Sequence, residues 1–381
     1  MKKLKTLHIA SFEGNIGDNA NHNGTIKLLK QNLTDFDLQF TELEIREFFW
    51  KKRFFDDDFV HLANQFDLII FGGGNFFELW VQDSCNSTSV DIKIEILEKI
   101  NSKIIFYSLG LDPAQGIANI DAFKSWVNYI ISKPEKYKLS VRNDGALDTV
   151  KEYLGEKYLE HFNWVPDGGF FVETSDFYHP EIDSNKKTIG VNIAGDMLDV
   201  RFPNKTGHIT SDQFIVSLAK LMDEVLEERE DINFVFFPHI YKDLDFISIL
   251  FKKVNDWNVR RRITVAPYLH GTGAEKYIFD LYKKCELIMG NRFHTNVCAI
   301  GMGIPTIGLI NYRQIGMLYK ELNLEDRCVE VNKKGFKNLL KSNIYFTLDN
   351  KNELCNAYID IKEGLLASKT EFHTSINKWL S

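Results

Sequence analysis

An arginine and a histidine two positions apart, Arg292 and His294, interrupt the otherwise small and apolar stretch GNRFHTNVCAIGMGIPTIGL. They fall between a strand-like run, Leu287-Ile288-Met289, and a helix expected to start at His294. Folding requires neither charge there. Arginine offers a planar fork that suits a phosphate or carboxylate, and the first turn of a helix adds free N–H groups and a partial positive charge. Histidine is the side chain that exchanges protons near neutral pH. With Asn291 before it and Phe293 between its members, the pair reads as a site that holds an anion and works on it.

Other strand ends carry similar content. INFVFFPH places His239 after a strongly apolar run, where strand-end residues reach a ligand crevice. Alone, such a histidine is more often a hydrogen-bonded structural residue; beside Arg292 and His294 it becomes a second candidate acid or base. EGNIGDNANHNGT, residues 13–25, follows the first strand, with Asn15, Gly17 and Asp18 as ligand contacts or as an ordinary capped turn. In FGGGNFFELW, Gly73, Gly74 and Asn75 let the backbone pass close to a ligand or to a neighbouring helix. SVRND and VPDGG supply Arg142 and Asp167. An arginine buried at a strand end either pairs with a carboxylate, for which Asp167 is available, or binds an anionic ligand.

Negative matches narrow the chemistry. FGGGNFF fails the dinucleotide pattern GxGxxG because Phe77 stands where the last glycine would be, and no GxxxxGK[ST] occurs. Five scattered cysteines without a CxxC pair read as free thiols in a reducing compartment, and no metal site is expected. The net charge of −7 disfavours broad nucleic-acid binding, so any anion must be bound locally.

The elements that must position these residues alternate in a regular way. TLHIASF, LQFTELEI, FDLIIFGGG, KIIFYSLG and YKLSVRND are short apolar runs separated by helical stretches, the first of them expected from Gly24. A polar segment, TSDFYHPEIDSNKK, reads as a linker. The pattern then restarts with TIGVNIAG, a helix over 212–228, INFVFFPH, ITVAPYL, LIMGNR, PTIGLI and CVEV. An α/β protein follows, with two Rossmann-like domains facing a cleft: residues 1–175, residues 187–345, and a helical tail over 346–381. The opening MKKLKTLHIASF reads as a buried strand rather than a signal peptide, and no apolar run approaches a membrane span. A cytoplasmic protein is expected, free to rest against the inner face of a membrane.

Taken in order, GNIGDNA, FGGGNFF, YSLG, SVRND, VPDGGF, FPH, the Arg292 to His294 stretch and the region of Tyr312 and Arg313 resemble the polysaccharide pyruvyl transferase family. The resemblance runs from about residue 10 to about residue 320. It implies a GT-B-like fold and transfer of a pyruvyl group from phosphoenolpyruvate to a sugar, as a cyclic ketal across two hydroxyls. It implies no resident cofactor, and a glycan or lipid-linked sugar as acceptor. The family's Arg-x-His element falls on Arg292 and His294, its strand-end histidine on His239 and its arginine of the VRD type on Arg142. Asn143 stands where the family commonly has an acid and Asn19 follows Asp18, differences that bear on the acceptor more than on the donor. The phosphoenolpyruvate side is expected in the second domain, the acceptor side in the first.

Two alternatives compete with this reading. A GT-B glycosyltransferase would use the same helix end for the diphosphate of a nucleotide sugar, with an acid such as Glu275 on the ribose. A noncatalytic sugar- or anion-binding protein would keep the scaffold without turnover. Separately, REFFWKKRFFDDDF mixes aromatic and basic residues. Its plain reading is core contacts with a solvated charged face; the sharper one is an aromatic platform for a glycan or for a lipid-linked acceptor.

Overall fold

The computed structural model describes residues 1–381 except Lys369. The chain divides into two compact units. One comprises residues 1–13, 21–168 and 364–381, the other residues 14–20 and 169–363.

The first unit is built on a six-stranded, all-parallel sheet. Its strands are β1 (Lys2–Ala10), β2 (Phe36–Glu44), β3 (Leu68–Gly72), β5 (Lys103–Leu109), β7 (Tyr137–Val141) and β8 (Asn163–Trp164), while the short β4 (Phe77–Glu78) and β6 (Leu111–Asp112) pair separately. The spatial order is β2-β1-β3-β5-β7-β8. Because a parallel sheet is covered on both faces, β3 is buried along its whole length and reads as a continuous apolar run. Alternate residues serve opposite faces. Ile69, Phe71, Ile104 and Phe106 enter one core, and Leu68, Ile70, Ile105 and Tyr107 the other. The second core is closed by the helix Thr370–Leu380, whose Phe372, Ile376 and Leu380 recur every fourth residue.

The second unit repeats the plan with β9 (Lys187–Asn192), β10 (Ile232–Phe236), β11 (Ile263–Val265), β12 (Leu287–Gly290), β13 (Thr306–Ile310) and β14 (Cys328–Glu330). Their order, β11-β10-β9-β12-β13-β14, is the doubly wound order in which the chain runs outward from β9 and returns to β12. Residues 174–187 are expected as a linker; 174–186 are free of helix and strand and Lys187 opens β9, while His179 within them is buried against Asp280.

The start of the first helix differs from expectation. The first helix begins at Ile16, not at Gly24, and runs to Asn32. Its opening turns carry asparagines, an aspartate and a histidine, which are poor helix formers and leave no apolar period to read. The boundary between units lies at Gly168 and Gly169, and residues 14–20 belong with the second unit rather than the first. The expected tail is helical but divided, its residues from Gly364 onward packing with the first unit.

Candidate functional site

In the second unit the loops after β9, β10 and β12 meet at the point where the winding reverses. Asn192, the last residue of β9, accepts a hydrogen bond from the Arg292 amide (3.1 Å) and donates one to the Phe237 carbonyl (2.9 Å), so one amide side chain laces all three strand ends. Asp243 ties the same loops from outside. Its carboxylate accepts from the amides of Gly195 (3.0 Å), His239 (2.9 Å) and Ile240 (3.2 Å), as well as from Arg292. The guanidinium donates through Nε (2.8 Å) and Nη2 (2.5 Å), a two-pronged pairing, and Nη2 also reaches Asp196 at 3.0 Å. Burial opposes ionisation of Asp243, yet the Arg292 charge and the amide donors outweigh it and hold the carboxyl below its ordinary range. Arg292 is likewise disfavoured by burial and stabilised overall by the two aspartates. Its Nη1 makes no hydrogen bond to any described residue.

His294 lies in the first turn of the helix Phe293–Gly301, nearly buried, with Nδ1 3.4 Å from Oδ1 of Asp18. Phe293 stands edge-on to the imidazole at 5.6 Å between ring centroids. The polypeptide approaches closely here because position 17 is glycine. A Cβ on Gly17 would come within 2.6 Å of the His294 Cβ and 2.9 Å of its Nδ1. Asn15 accepts from the Gly17 amide (3.0 Å) and so starts the helix that carries Asp18. Among the sequence candidates, Asn15, Gly17, Asp18, Asn291, Arg292, Phe293 and His294 therefore gather in one unit. Asn291 is turned toward the Leu309 carbonyl at 2.8 Å.

His239 belongs to the same cluster but is fully buried. Its Nε2 lies 2.8 Å from the Tyr282 hydroxyl and 3.3 Å from that of Thr295. Burial, reinforced by the Arg292 charge, lowers its pKa to about 3, so the ring is neutral at ordinary pH. That is the hydrogen-bonded structural arrangement weighed against catalysis for a lone strand-end histidine.

The remaining candidates lie in the first unit. Gly73 follows β3 with φ +72°, and its carbonyl accepts from Asn21 at 2.8 Å. A side chain there would also meet Asn21 and His22, so this glycine serves both the turn and a close approach. Gly74 sits against the ring of Phe76, and Asn75 donates to Asp112 at 3.4 Å. Arg142 is 2% exposed and pairs with Asp144 (2.8 Å) and Asp167 (3.3 Å), the carboxylate-paired alternative of the two open for it. Asn143 accepts from the Asp167 amide at 2.9 Å. Burial pushes Asp144 up to about 6 against the pull of Arg142. Nearby, burial pushes the partly buried Glu78 up to about 8, although the Ser89 hydroxyl donates to it.

Sequence reasoning overlooked Asp196, Asp243, Thr295 and Tyr282 in the second unit and Glu78, Asp112 and Asp144 in the first. Two of these had a readable signal. Asp196 closes NIAGD just past β9, and Asp243 stands four residues after His239 in the first turn of a helix, the places where acids collect.

Two Rossmann-like units, each with polar side chains at the C-terminal ends of a parallel sheet, define an α/β protein of the GT-B type. The structure is similar to a glycosyltransferase from Rickettsia africae (TM-score 0.57, 12% identity, 99% of each chain covered). It is also similar to Anabaena HepE in complex with UDP and glucose (TM-score 0.55, 11% identity, 98% of this chain and 97% of that one). A third likeness is to a putative UDP-N-acetylglucosamine 2-epimerase from Listeria monocytogenes (TM-score 0.53, 12% identity, 94% and 91%). At these identities the likeness is one of fold. A search of curated proteins gave no significant match. The family model for polysaccharide pyruvyl transferase matches residues 15–312, and the chain belongs to that family. It is a transferase whose acceptor is a polysaccharide or sugar. Among the described residues no helix is long and apolar enough to cross a membrane.

Proposed function

We propose that this transferase moves a pyruvyl group from phosphoenolpyruvate to two hydroxyls of a sugar, in a polysaccharide or its lipid-linked precursor, at the inner face of a membrane. The observation that carries the reading is the placement of Arg292, His294 and Asp18 around one helix N-terminus. The donor carries a phosphate and a carboxylate, and the unused Nη1 of Arg292 with the first amides of the helix Phe293–Gly301 supplies donors for an anion. His294 delivers a proton to the methylene carbon, which places oxocarbenium character on the adjacent carbon. One sugar hydroxyl attacks that carbon and returns its proton to His294. Phosphate then departs, and the second hydroxyl closes the ketal as its proton leaves with the phosphate. Asp18 orients the imidazole, and neutral His239 positions Thr295 in the same first turn. No resident cofactor is needed for these steps.

Nucleotide-sugar transfer is the competing reading, favoured by the fold shared with HepE, which was solved with UDP and glucose. The acid expected on a ribose does not support it. Glu275 is buried, and its carboxylate accepts from the Gly273 amide at 2.7 Å, at the start of its own helix.

Thermal unfolding with phosphoenolpyruvate and, separately, with UDP tests the choice, because a ligand bound by the native state raises its apparent stability. Phosphoenolpyruvate should raise the midpoint of the wild type and not of Arg292→Lys, which keeps the charge but loses the fork. A shift with UDP and none with phosphoenolpyruvate would transfer the site to a nucleotide sugar. Phosphate release on adding acceptor glycans then establishes turnover.

A further inference from the structure

The chain after β2 forms a turn with two sets of aromatic rings. The inner set anchors it: Phe48 and Phe55 stack at 3.9 Å, and Phe59 meets both edge-on at 5.6 and 4.9 Å. The outer set, Phe49, Trp50 and Phe54, is 50%, 58% and 54% exposed. The plain reading of this stretch as core contacts thus holds for half of its rings and leaves three large ones in water.

The turn is built rather than loose. After the short helix Arg46–Phe49, the Lys52 amide donates to the Glu47 carbonyl (2.8 Å) and the Lys51 amide to that of Phe48 (3.1 Å), with Lys51 at φ +56°. This is the helix-ending motif that usually places glycine at the left-handed position. Here an exposed lysine takes it. Residues 46–54 carry four basic side chains (Arg46, Lys51, Lys52, Arg53) and one acid (Glu47), in a chain whose net charge is −7. Lys51 pairs with Asp91 and Arg53 with Glu47, both exposed pairs that compete weakly with other anions, and Lys52 lies 5.7 Å over the Trp50 ring. Of the three exposed acids that follow, Asp56 accepts from the Phe59 amide and Asp57 pairs with Lys99, while Asp58 faces water at the start of the next helix.

We infer that this turn docks the protein on an anionic lipid bilayer. Phe49, Trp50 and Phe54 would enter the boundary between headgroups and acyl chains, and Lys51, Lys52 and Arg53 would meet lipid phosphates. Exposed rings interleaved with cations suit that boundary, where one side is apolar and the other anionic. A glycan platform is less well matched, because the polar groups bordering the rings are cations. The inference stands whether or not the donor is phosphoenolpyruvate, since docking needs no turnover.

The test is co-sedimentation of the full chain with vesicles of phosphatidylcholine alone and of phosphatidylcholine with one third phosphatidylglycerol. Wild type should sediment with the anionic vesicles, less so as salt is raised. The triple variant Phe49→Ser, Trp50→Ser, Phe54→Ser should lose binding with an unchanged unfolding midpoint. Lys51→Gln, Lys52→Gln and Arg53→Gln should each lower partitioning about fivefold. No binding of wild type to anionic vesicles, or equal binding by the ring variant, would overturn the proposal. So would ring variants that keep vesicle binding and lose binding to soluble oligosaccharides.

Discussion

Oδ1 of Asp18 stands 3.4 Å from Nδ1 of His294, and the two residues, far apart in sequence, share one unit. A carboxylate on one ring nitrogen fixes the imidazole's orientation. Asp18→Asn should therefore lower kcat roughly tenfold to hundredfold with little change in KM for the donor. Steady-state phosphate release checks this, and an equal rise in KM with kcat intact would place Asp18 in binding instead.

Gly17 predicts a steric counterpart. The methyl of Gly17→Ala would overlap His294, although alanine is the better helix former. Its expected signature is a loss of kcat similar to that of Asp18→Asn together with a lowered unfolding midpoint, because the clash begins at the His294 Cβ and not at the end of a flexible side chain. Full activity in Gly17→Ala would show that His294 has room to move without consequence.

Asp243 joins three strand-end loops and neutralises Arg292. Removing one partner of a buried ion pair leaves the other charge uncompensated, so Asp243→Ala should cost about 3–5 kcal/mol of stability. Urea unfolding measures it. A loss under about 1 kcal/mol would mean that Asp196 alone suffices for Arg292.

His239 makes stability depend on acid. Its folded pKa is about 3 against an ordinary 6.5, so below pH 6.5 the unfolded chain binds a proton that the folded chain refuses. The contribution is complete above 6.5 and declines as pH falls toward 3. Between pH 6.5 and about pH 5 the loss is about 2 kcal/mol relative to His239→Gln. Parallel unfolding curves of the two proteins in that window would remove His239 as the cause.

Glu78 works in the opposite sense. With its folded pKa raised to about 8 from an ordinary 4.5, the folded state holds a proton that the unfolded state has released. Stability from this group is present below 4.5 and is lost as pH rises through 8. Glu78→Gln should flatten the decline between pH 4.5 and about pH 8. A variant with the same decline as wild type over that window would assign it to other groups.

The order of residues along the chain prescribes the periodic part of this protein. Apolar runs of four to six residues separated by helical stretches require a parallel sheet buried on both faces, and Leu68 to Gly72 and Leu287 to Gly290 lie where that pattern puts them. Arg292 and His294 were legible because an unneeded charge at a strand end stands out against small apolar neighbours. The start of the first helix was not legible, because the residues around Asp18 are polar on every side and their partners are distant in sequence. Tertiary structure alone decided which acids neutralise which cations. Asp243 meets Arg292, and Asp144 and Asp167 meet Arg142. Ion pairing depends on distances between loops that the sheet order brings together, and no local period in the chain records those distances. The same holds for the outward rings of Phe49, Trp50 and Phe54, since composition names the aromatics while packing decides which face the core.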